Sequence, residues 1–354
     1  MTSTDLTAKF QQAMEYHRQG RLDEAEALYR AMLSVNPTHF DALHLLGVVM
    51  HQKGHPAVAL DLIERAMAVN PMVATAHSNR GLVLQDIGRF GEALVEYERA
   101  LQLKPDFAEA HYNRGNVLRD LERPDEACAS YERALQLRPD YAEAWNNRAN
   151  ALSDLGRHDD ALGCFDTALR LRPDYAEVFY NRGNVLRKLK RTEDALADYG
   201  RALQIKPDFV EATINRANAL RDLKRLHEAL AGYEHALERR PGDAEAWNNL
   251  GTTLLDLKRP EEALACFDRA LASNPGFAAA HMNRGNALRD ANRYEEALAC
   301  YGHALQIDPD YAEAWNNRGT ALLDLKRPHE ALGDIERALR LRPLFAEALN
   351  NRGS

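Results

Sequence analysis

Nine asparagines stand at a fixed interval of 34 residues: Asn79, Asn113, Asn147, Asn181, Asn215, Asn249, Asn283, Asn317 and Asn351. A carboxamide offers two N–H donors and an acceptor oxygen, so a row of them can pair with an extended peptide backbone whatever its side chains. The same row could instead bond neighbouring helix backbone. A second amide column runs beside it at Asn116, Asn150, Asn184, Asn218 and Asn286, with Thr252 and Thr320 in two of its gaps. A basic column (Arg119, Arg187, Arg221, Arg289) is followed by an acidic one (Asp86, Asp120, Asp154, Asp222, Asp256, Asp290, Asp324). These arginines and aspartates either pair across repeats, which contributes little on a solvated face, or read charged side chains of a bound segment. The amides and this arginine column are the candidate peptide-binding residues. A further column, Arg80, Arg114, Arg148, Arg182, Arg216, Arg284, Arg318 and Arg352, is interrupted by Leu250. The leucine implies a packed aliphatic stem there, with the guanidinium snorkelling outward.

Reaction chemistry is not signalled. The glycines form no G-x-G pair and no Gly-Lys, so neither a dinucleotide nor a P-loop fingerprint is present. His227-Glu228 opens like a zinc-protease motif but lacks the second histidine, and there is no G-x-S-x-G elbow. Cys128, Cys164, Cys266 and Cys300 have neither zinc-ligand nor disulfide-framework spacing and read as free thiols in a reducing compartment. His77, His111 and His281 share a column with Trp145 and read as core or edge residues rather than ligands. A non-enzymatic chain with no metal and no cofactor is expected. The net charge of −8 argues against bulk nucleic-acid binding. No run of about 18 apolar residues and no secretory leader occur, so a cytoplasmic chain without a membrane span is expected.

The elements that must position these columns follow from the same period. Proline recurs at Pro37, Pro71, Pro105, Pro139, Pro173, Pro207, Pro241, Pro275, Pro309 and Pro343, always 34 residues apart. Strict self-similarity at such a period marks a stacked array of supersecondary units. Within Ala142–Tyr175, Trp145, Ala149 and Leu152 form one helical stripe, and Ala161, Phe165, Ala168 and Leu169 form another. Gly156-Arg157 breaks the pattern between them, which predicts a helix, a tight turn and an antiparallel helix. Asp140 and Glu143 suggest a capping box at the first helix, repeated at Asp106/Glu109, Asp174/Glu177, Asp208/Glu211 and Asp310/Glu313. Pro124, Pro260 and Pro328 suit the start of a second helix. In the first helix of 142–155, the side carrying Glu143, Asn146, Asn147, Asn150, Ser153 and Asp154 is expected to stay open.

On Trp145, Ala149, Ala161, Phe165, Ala168 and Pro173, matched by Trp247, Gly251, Ala263, Phe267, Ala270 and Pro275 and by Trp315, Gly319, Ala331, Ile335, Ala338 and Pro343, the chain resembles the tetratricopeptide repeat family. The resemblance implies an all-α, right-handed superhelical solenoid of about ten 34-residue repeats, with first helices lining a concave groove. The repeats fall at 6–39, 40–73, 74–107, 108–141, 142–175, 176–209, 210–243, 244–277, 278–311 and 312–345, after a 1–5 extension and before a partial eleventh repeat at 346–354. The function implied is a scaffold holding extended peptide in the groove. The asparagine row is similar to the ladder in the repeat arm of O-linked N-acetylglucosamine transferases, so a substrate-recognition arm of a larger glycosyltransferase is the alternative, with the partial repeat read as a cut end. A basic clamp for terminal carboxylates, used by some family members, is not expected, because Tyr112, Asn146, Tyr180 and Asn248 occupy the matching places. The apolar helix of repeat two (Leu43, Leu45, Leu46, Val48, Val49, Met50) is expected to be covered by repeat one, or else to associate with another chain. The outer face of 328–342 (Leu332, Ile335, Leu339) is expected to lie exposed, favouring end-to-end association.

Overall fold

The computed structural model describes residues 3–353, and all regular elements among them are helices. The chain divides into two compact units, Met1–Asp174 and Tyr175–Ser354. The first holds α1 (Ser3–Arg18), α2 (Leu22–Leu33), α3 (Phe40–Gln52), α4 (Pro56–Val69), α5 (Ala74–Asp86), α6 (Phe90–Leu103), α7 (Ala108–Asp120), α8 (Pro124–Leu137), α9 (Ala142–Asp154) and α10 (His158–Leu171). The second holds α11 (Ala176–Lys188), α12 (Thr192–Ile205), α13 (Val210–Asp222), α14 (Leu226–Arg239), α15 (Ala244–Asp256), α16 (Pro260–Ser273), α17 (Ala278–Asp290), α18 (Tyr294–Ile307), α19 (Ala312–Asp324), α20 (Pro328–Leu341) and the short α21 (Ala346–Arg352). Each is a solenoid of helix pairs in which every helix packs mainly on its chain neighbours. Since α1 starts at Ser3, part of the expected leading extension is helical; Met1, Thr2 and Ser354 lie outside the described residues.

Small residues set the spacing within a pair. Ala127, Ala161, Ala229 and Ala263 are fully buried on the second helices, as are the aromatic rings of Tyr131, Phe165, Tyr233 and Phe267. Those rings press against the first helix so closely that a Cβ added at Gly115 would sit 2.6 Å from Tyr131, which explains why that column holds only Gly or Ala. Ring N–H groups fix the entry to the first helix: Trp145 Nε1 donates to the Pro139 carbonyl at 2.9 Å and Trp315 to Pro309 at 2.9 Å. The histidines of this column make the same contact, His111 with Pro105 at 3.0 Å and His281 with Pro275 at 3.1 Å.

The turn between paired helices needs a left-handed residue. Gly20, Gly54, Gly88 and Gly156 supply it with φ between 71° and 78°, but Lys190, Lys224, Lys258 and Lys326 occupy it elsewhere, with φ between 59° and 62°. Side chains with a Cβ are strained in this region.

Three expectations are corrected. The aspartates of the expected capping box do not cap: the N-cap of α9 is Tyr141, one residue later, and it makes no side-chain cap. Glu143 turns instead to Arg172 at the end of α10, as Glu109 does to Arg138 at 2.9 Å and Glu313 to Arg342 at 2.6 Å. Where the aromatic N-cap column holds Asp243, that residue caps Ala246 N at 2.9 Å. Secondly, Asn146 and Ser153, expected on an open face, are buried at 6% and 8% exposure. Thirdly, Ile335 and Leu339 are buried at 1% and 9%, leaving only Leu332 exposed, since Phe345 and Ala348 close over that end of the core. In repeat two, Leu43, Leu46, Val49 and Met50 are buried in a core that Leu6 and Phe10 of α1 pack against, so the patch is largely covered within the chain.

Candidate peptide-binding face

The asparagine row is half-buried throughout, and within each unit most of its amide donors point back at the preceding first helix. In the first unit, Asn147 Nδ2 donates to Tyr112 Oη at 3.1 Å and to Asn116 Oδ1 at 2.9 Å, while its own oxygen accepts from Asn146 Nδ2 at 2.9 Å. Asn79 Nδ2 lies 2.9 Å from His44 Nε2. Asn113 follows Ser78 and Leu82 in the places of Tyr112 and Asn116, and makes no side-chain hydrogen bond among the described residues. In the second unit, Asn215 donates to Tyr180 Oη at 3.2 Å and Asn184 Oδ1 at 2.9 Å, and Asn249 to Asn218 Oδ1 at 3.3 Å. Asn283 donates to Asn248 at 2.9 Å, Asn317 to Asn286 at 3.0 Å, and Asn351 to Asn316 at 3.0 Å and Thr320 at 3.1 Å. Asn181, at the start of the second unit, is half-buried like the rest, as is Asn150 of the second column. Within each unit, Asn113 apart, the row straps consecutive repeats together.

The second amide column is held from both sides. Asn116 Oδ1 accepts from Tyr131 Oη at 2.8 Å as well as from Asn147; Asn184 does so from Tyr199 at 2.8 Å, Asn218 from Tyr233 at 2.6 Å and Asn286 from Tyr301 at 2.8 Å. Burial pushes these phenols up, Tyr233 to about 12, so each remains a protonated donor at neutral pH. With the oxygen so engaged, the NH2 group faces away. Asn218 gives it to Asn215 at 3.3 Å and Asn286 to Met282 Sδ at 3.1 Å, that of Asn116 faces the Tyr112 hydroxyl, and that of Asn184 has no partner among the described residues. Tyrosine in the Phe165 column was the sequence signal for this arrangement.

The charged columns pair unevenly. Arg187 Nε lies 2.9 Å from Asp222 and Arg119 Nε 4.0 Å from Asp154, and in earlier repeats His51 reaches Asp86 at 2.6 Å and Gln85 reaches Asp120 at 3.3 Å. Arg289 approaches only its neighbour Asp290, at 3.9 Å. Arg221 has no ion pair among the described residues.

Around Arg221, within the second unit, the ends of α11, α13 and α15 enclose a cleft of about 890 Å³ lined by Asn184, Arg187, Lys188, Lys190, Thr192, Asn215, Arg221, Asp222, Lys224 and Asp256. Five cations face two carboxylates there, in a chain whose net charge is −8. Lys188 was missed as a candidate, although it is the charge reversal in the acidic column. Lys190 and Lys224 are the strained turn residues. The structure thus gathers Asn184, Arg187, Asn215 and Arg221 into one site and leaves Arg119 and Arg289 outside it. Tyr112 is engaged by Asn147 and stacks on Tyr141 with ring centroids 4.7 Å apart. Among the described residues, no His, Cys, Asp and Glu cluster could hold a metal, and no helix is long and apolar enough to cross a membrane.

Family models described as tetratricopeptide repeat match residues 16–78, 106–173, 146–208, 214–276 and 312–344, and one described as TPR repeat matches 84–122 and 285–326. A search of curated protein sequences gives no significant match. Among solved structures, a tetratricopeptide repeat protein from Parabacteroides merdae is similar with a TM-score of 0.56 and 18% identity, over 70% of this chain and 98% of its own. The pilF protein of Pseudomonas aeruginosa gives a TM-score of 0.55 at 21% identity, over 60% of this chain and 97% of its own. Cut9 in its APC/C hetero-tetramer with Hcn1 gives 0.54 at 14% identity, over 96% of this chain and 94% of its own. At these identities the likeness concerns the fold.

Proposed function

The chain belongs to the tetratricopeptide repeat family, and from that premise we propose that it is a protein-interaction scaffold holding an extended, acidic peptide segment along its first helices, with the strongest purchase at the cleft around Arg221. The observation that carries this reading is the excess of cations beside an unengaged carboxamide: Arg221 without an ion pair, Lys188 in place of aspartate, and Asn184 with its NH2 free. Asn184 Nδ2 donates to a peptide carbonyl, while Arg221, Lys188, Lys190 and Lys224 take side-chain carboxylates. The rest of the amide columns hold this surface in register by their bonds to one another.

Exposed ion pairs contribute about 0.2–1 kcal/mol each, so several of them with a backbone hydrogen bond of about 0.5–1.5 kcal/mol fit binding of about millimolar strength that weakens steeply with salt. The test is fluorescence anisotropy with a labelled glutamate-rich peptide and its glutamine counterpart. The glutamate form should bind about tenfold more tightly at low salt, and K188D with R221A should remove that preference. Equal affinity for the two peptides would overturn the reading. A second reading, in which the array is the substrate arm of a larger glycosyltransferase, is favoured by the asparagine row alone. It calls for sequence-tolerant binding through backbone amides, which is the outcome in which the glutamine peptide binds as well as the glutamate one.

A further inference from the structure

Away from the asparagine columns, the arginine column that ends in Arg352 forms a strut between the paired helices. In the first unit, Arg80 reaches Glu96 at 2.5 Å and Glu64 at 2.8 Å, Arg114 reaches Ser130 at 2.6 Å and Glu98 at 3.2 Å, and Arg148 reaches Cys164 Sγ at 3.3 Å. In the second, Arg182 pairs with Asp198 at 2.7 Å, Arg284 with Asp268 at 2.8 Å and Cys300 Sγ at 2.9 Å, and Arg318 with Asp334 at 2.7 Å. The snorkelling expected of these guanidiniums is thus a specific contact to the second helix of the same repeat, joined at Arg80, Arg114 and Arg284 by one to that of the repeat before.

Repeat eight lacks the strut but keeps both of its partners. Leu250 stands where the arginine should be, yet Cys266 occupies the place of Cys300 and Glu234 the place of Glu98. Leucine is too short to fill the space between α14 and α16. A cavity of about 620 Å³ opens there, with a floor of Leu237, Leu250, Leu254 and Cys266 and a wall formed by Trp247. The rim is acidic. Glu234 has lost the arginine that its counterparts hold, Glu238 is 76% exposed beside His235, and one guanidinium, Arg259, serves the rim, held by Glu262 at 2.6 Å and near enough to Glu234 to feel its charge. Burial and the two nearby carboxylates push the Cys266 thiol up to about 11, in keeping with an apolar, anionic setting. Repeat seven shows the reverse defect, for there Arg216 is present and the acceptor is Gly232, beside a smaller cavity of about 400 Å³ that stays polar at its mouth.

We propose that the cavity over Leu250 is a second docking site, independent of the acidic-peptide cleft, which receives a leucine- or methionine-sized side chain of a partner protein segment flanked by lysine or arginine. The apolar floor selects the anchor. The carboxylates of Glu234 and Glu238, in excess over the single Arg259, select the flanking cation, which supplies from outside the charge that an arginine supplies from inside in other repeats. An acidic segment would add negative charge to a rim where Glu234, Glu238 and Glu262 already outnumber Arg259, and a purely apolar one would draw water from those carboxylates without replacing it. An apolar anchor in a pocket with a charged rim is the arrangement that concentrates binding energy at interfaces.

The variant that tests this is L250R. It restores the strut to a site whose two partners are in place, so the array should fold as the wild type does, and circular dichroism checks that it does. The probe is a labelled peptide with a central leucine pair flanked by arginines, with two controls carrying serine for leucine or glutamate for arginine. In the wild-type chain the probe should bind about tenfold more tightly than either control and should slow maleimide labelling of Cys266, read by mass spectrometry, without slowing that of Cys164 or Cys300. L250R should abolish both effects while leaving glutamate-peptide binding at the Arg221 cleft intact. Unchanged probe binding in folded L250R, failure of the probe to protect Cys266, or equal affinity for the serine control would each overturn the site.

Discussion

Replacing Asn147 with alanine should loosen the array locally, and replacing Asn113 should not. Asn147 makes three side-chain hydrogen bonds, to Tyr112, Asn116 and Asn146, whereas Asn113 makes none among the described residues. A hydrogen bond of this kind contributes about 0.5–1.5 kcal/mol net. The three share a half-buried setting in which Asn116 keeps its bond from Tyr131 and water can replace part of what is lost, so the sum falls short of additive. We expect about 2 kcal/mol for N147A and under about 0.5 kcal/mol for N113A, the ordinary range of a surface change. In a repeat array such a loss is felt first as local opening rather than as a shift of a single global transition. Native-state hydrogen exchange of α7 and α9 reads it directly: amides of 108–120 and 142–154 should exchange faster in N147A and as in the wild type in N113A. Equal losses for the two variants would refute the view that this row is a strap whose strength depends on acceptors in the preceding repeat. A larger loss for N113A would refute it more strongly.

Two further outcomes follow from other columns. Burial holds His44, His111 and His281 below the usual histidine range, so the unfolded chain binds more protons as the pH falls below about 6.5, and the stability these residues give is lost from there downward. H111W with H281W, which places in both repeats the tryptophan found at Trp145 and Trp315, should reduce the fall in melting temperature between about pH 7 and about pH 5; an unchanged acid slope would count against it. At the turns, K190G with K224G should relieve about 1–2 kcal/mol of left-handed strain per site, offset by about 0.4–1 kcal/mol of added unfolded-chain freedom. The double variant should therefore melt higher and bind the glutamate peptide more weakly, whereas a lower melting temperature would show that these lysines are not strained.

The period made most of the fold legible, because a helix pair repeated without insertion leaves few other ways to bury Ala161, Phe165 and Ala168 together. Local signals were less reliable. Asp140 and Glu143 have the spacing of a capping box, yet the helix starts one residue later than that motif requires, and Glu143 finds a guanidinium at the far end of its own repeat. Sequence proximity cannot reveal a partner that folding brings from 29 residues away. The asparagine row was legible as a column but its direction was not, since its acceptors lie on the preceding first helix, 31 and 35 positions back. Lys188 was in plain view as a reversal in the acidic column. Its importance emerged only when Arg221 proved unpaired and the turn lysines were seen to share its cleft.

These cases bear on where binding chemistry resides in an array of near-identical units. A column that recurs in every repeat can be satisfied by another that also recurs, and here the main ones are: asparagine row to second amide column, second amide column to tyrosine, arginine strut to its acidic or thiol partner. Buried and half-buried polar groups favour such mutual pairing because an unmet donor is costly. The more regular a column is, the more of its hydrogen-bonding capacity is directed inward, and the less remains for a ligand. Capacity is left over where one partner changes and the other does not. Asn184 keeps a free NH2 beside Lys188, which broke the acidic column, and Glu234 and Cys266 remain in place opposite Leu250, which broke the strut. On this physical ground, the proposed function places specificity at the irregular positions of this chain, with the regular columns holding those positions in register.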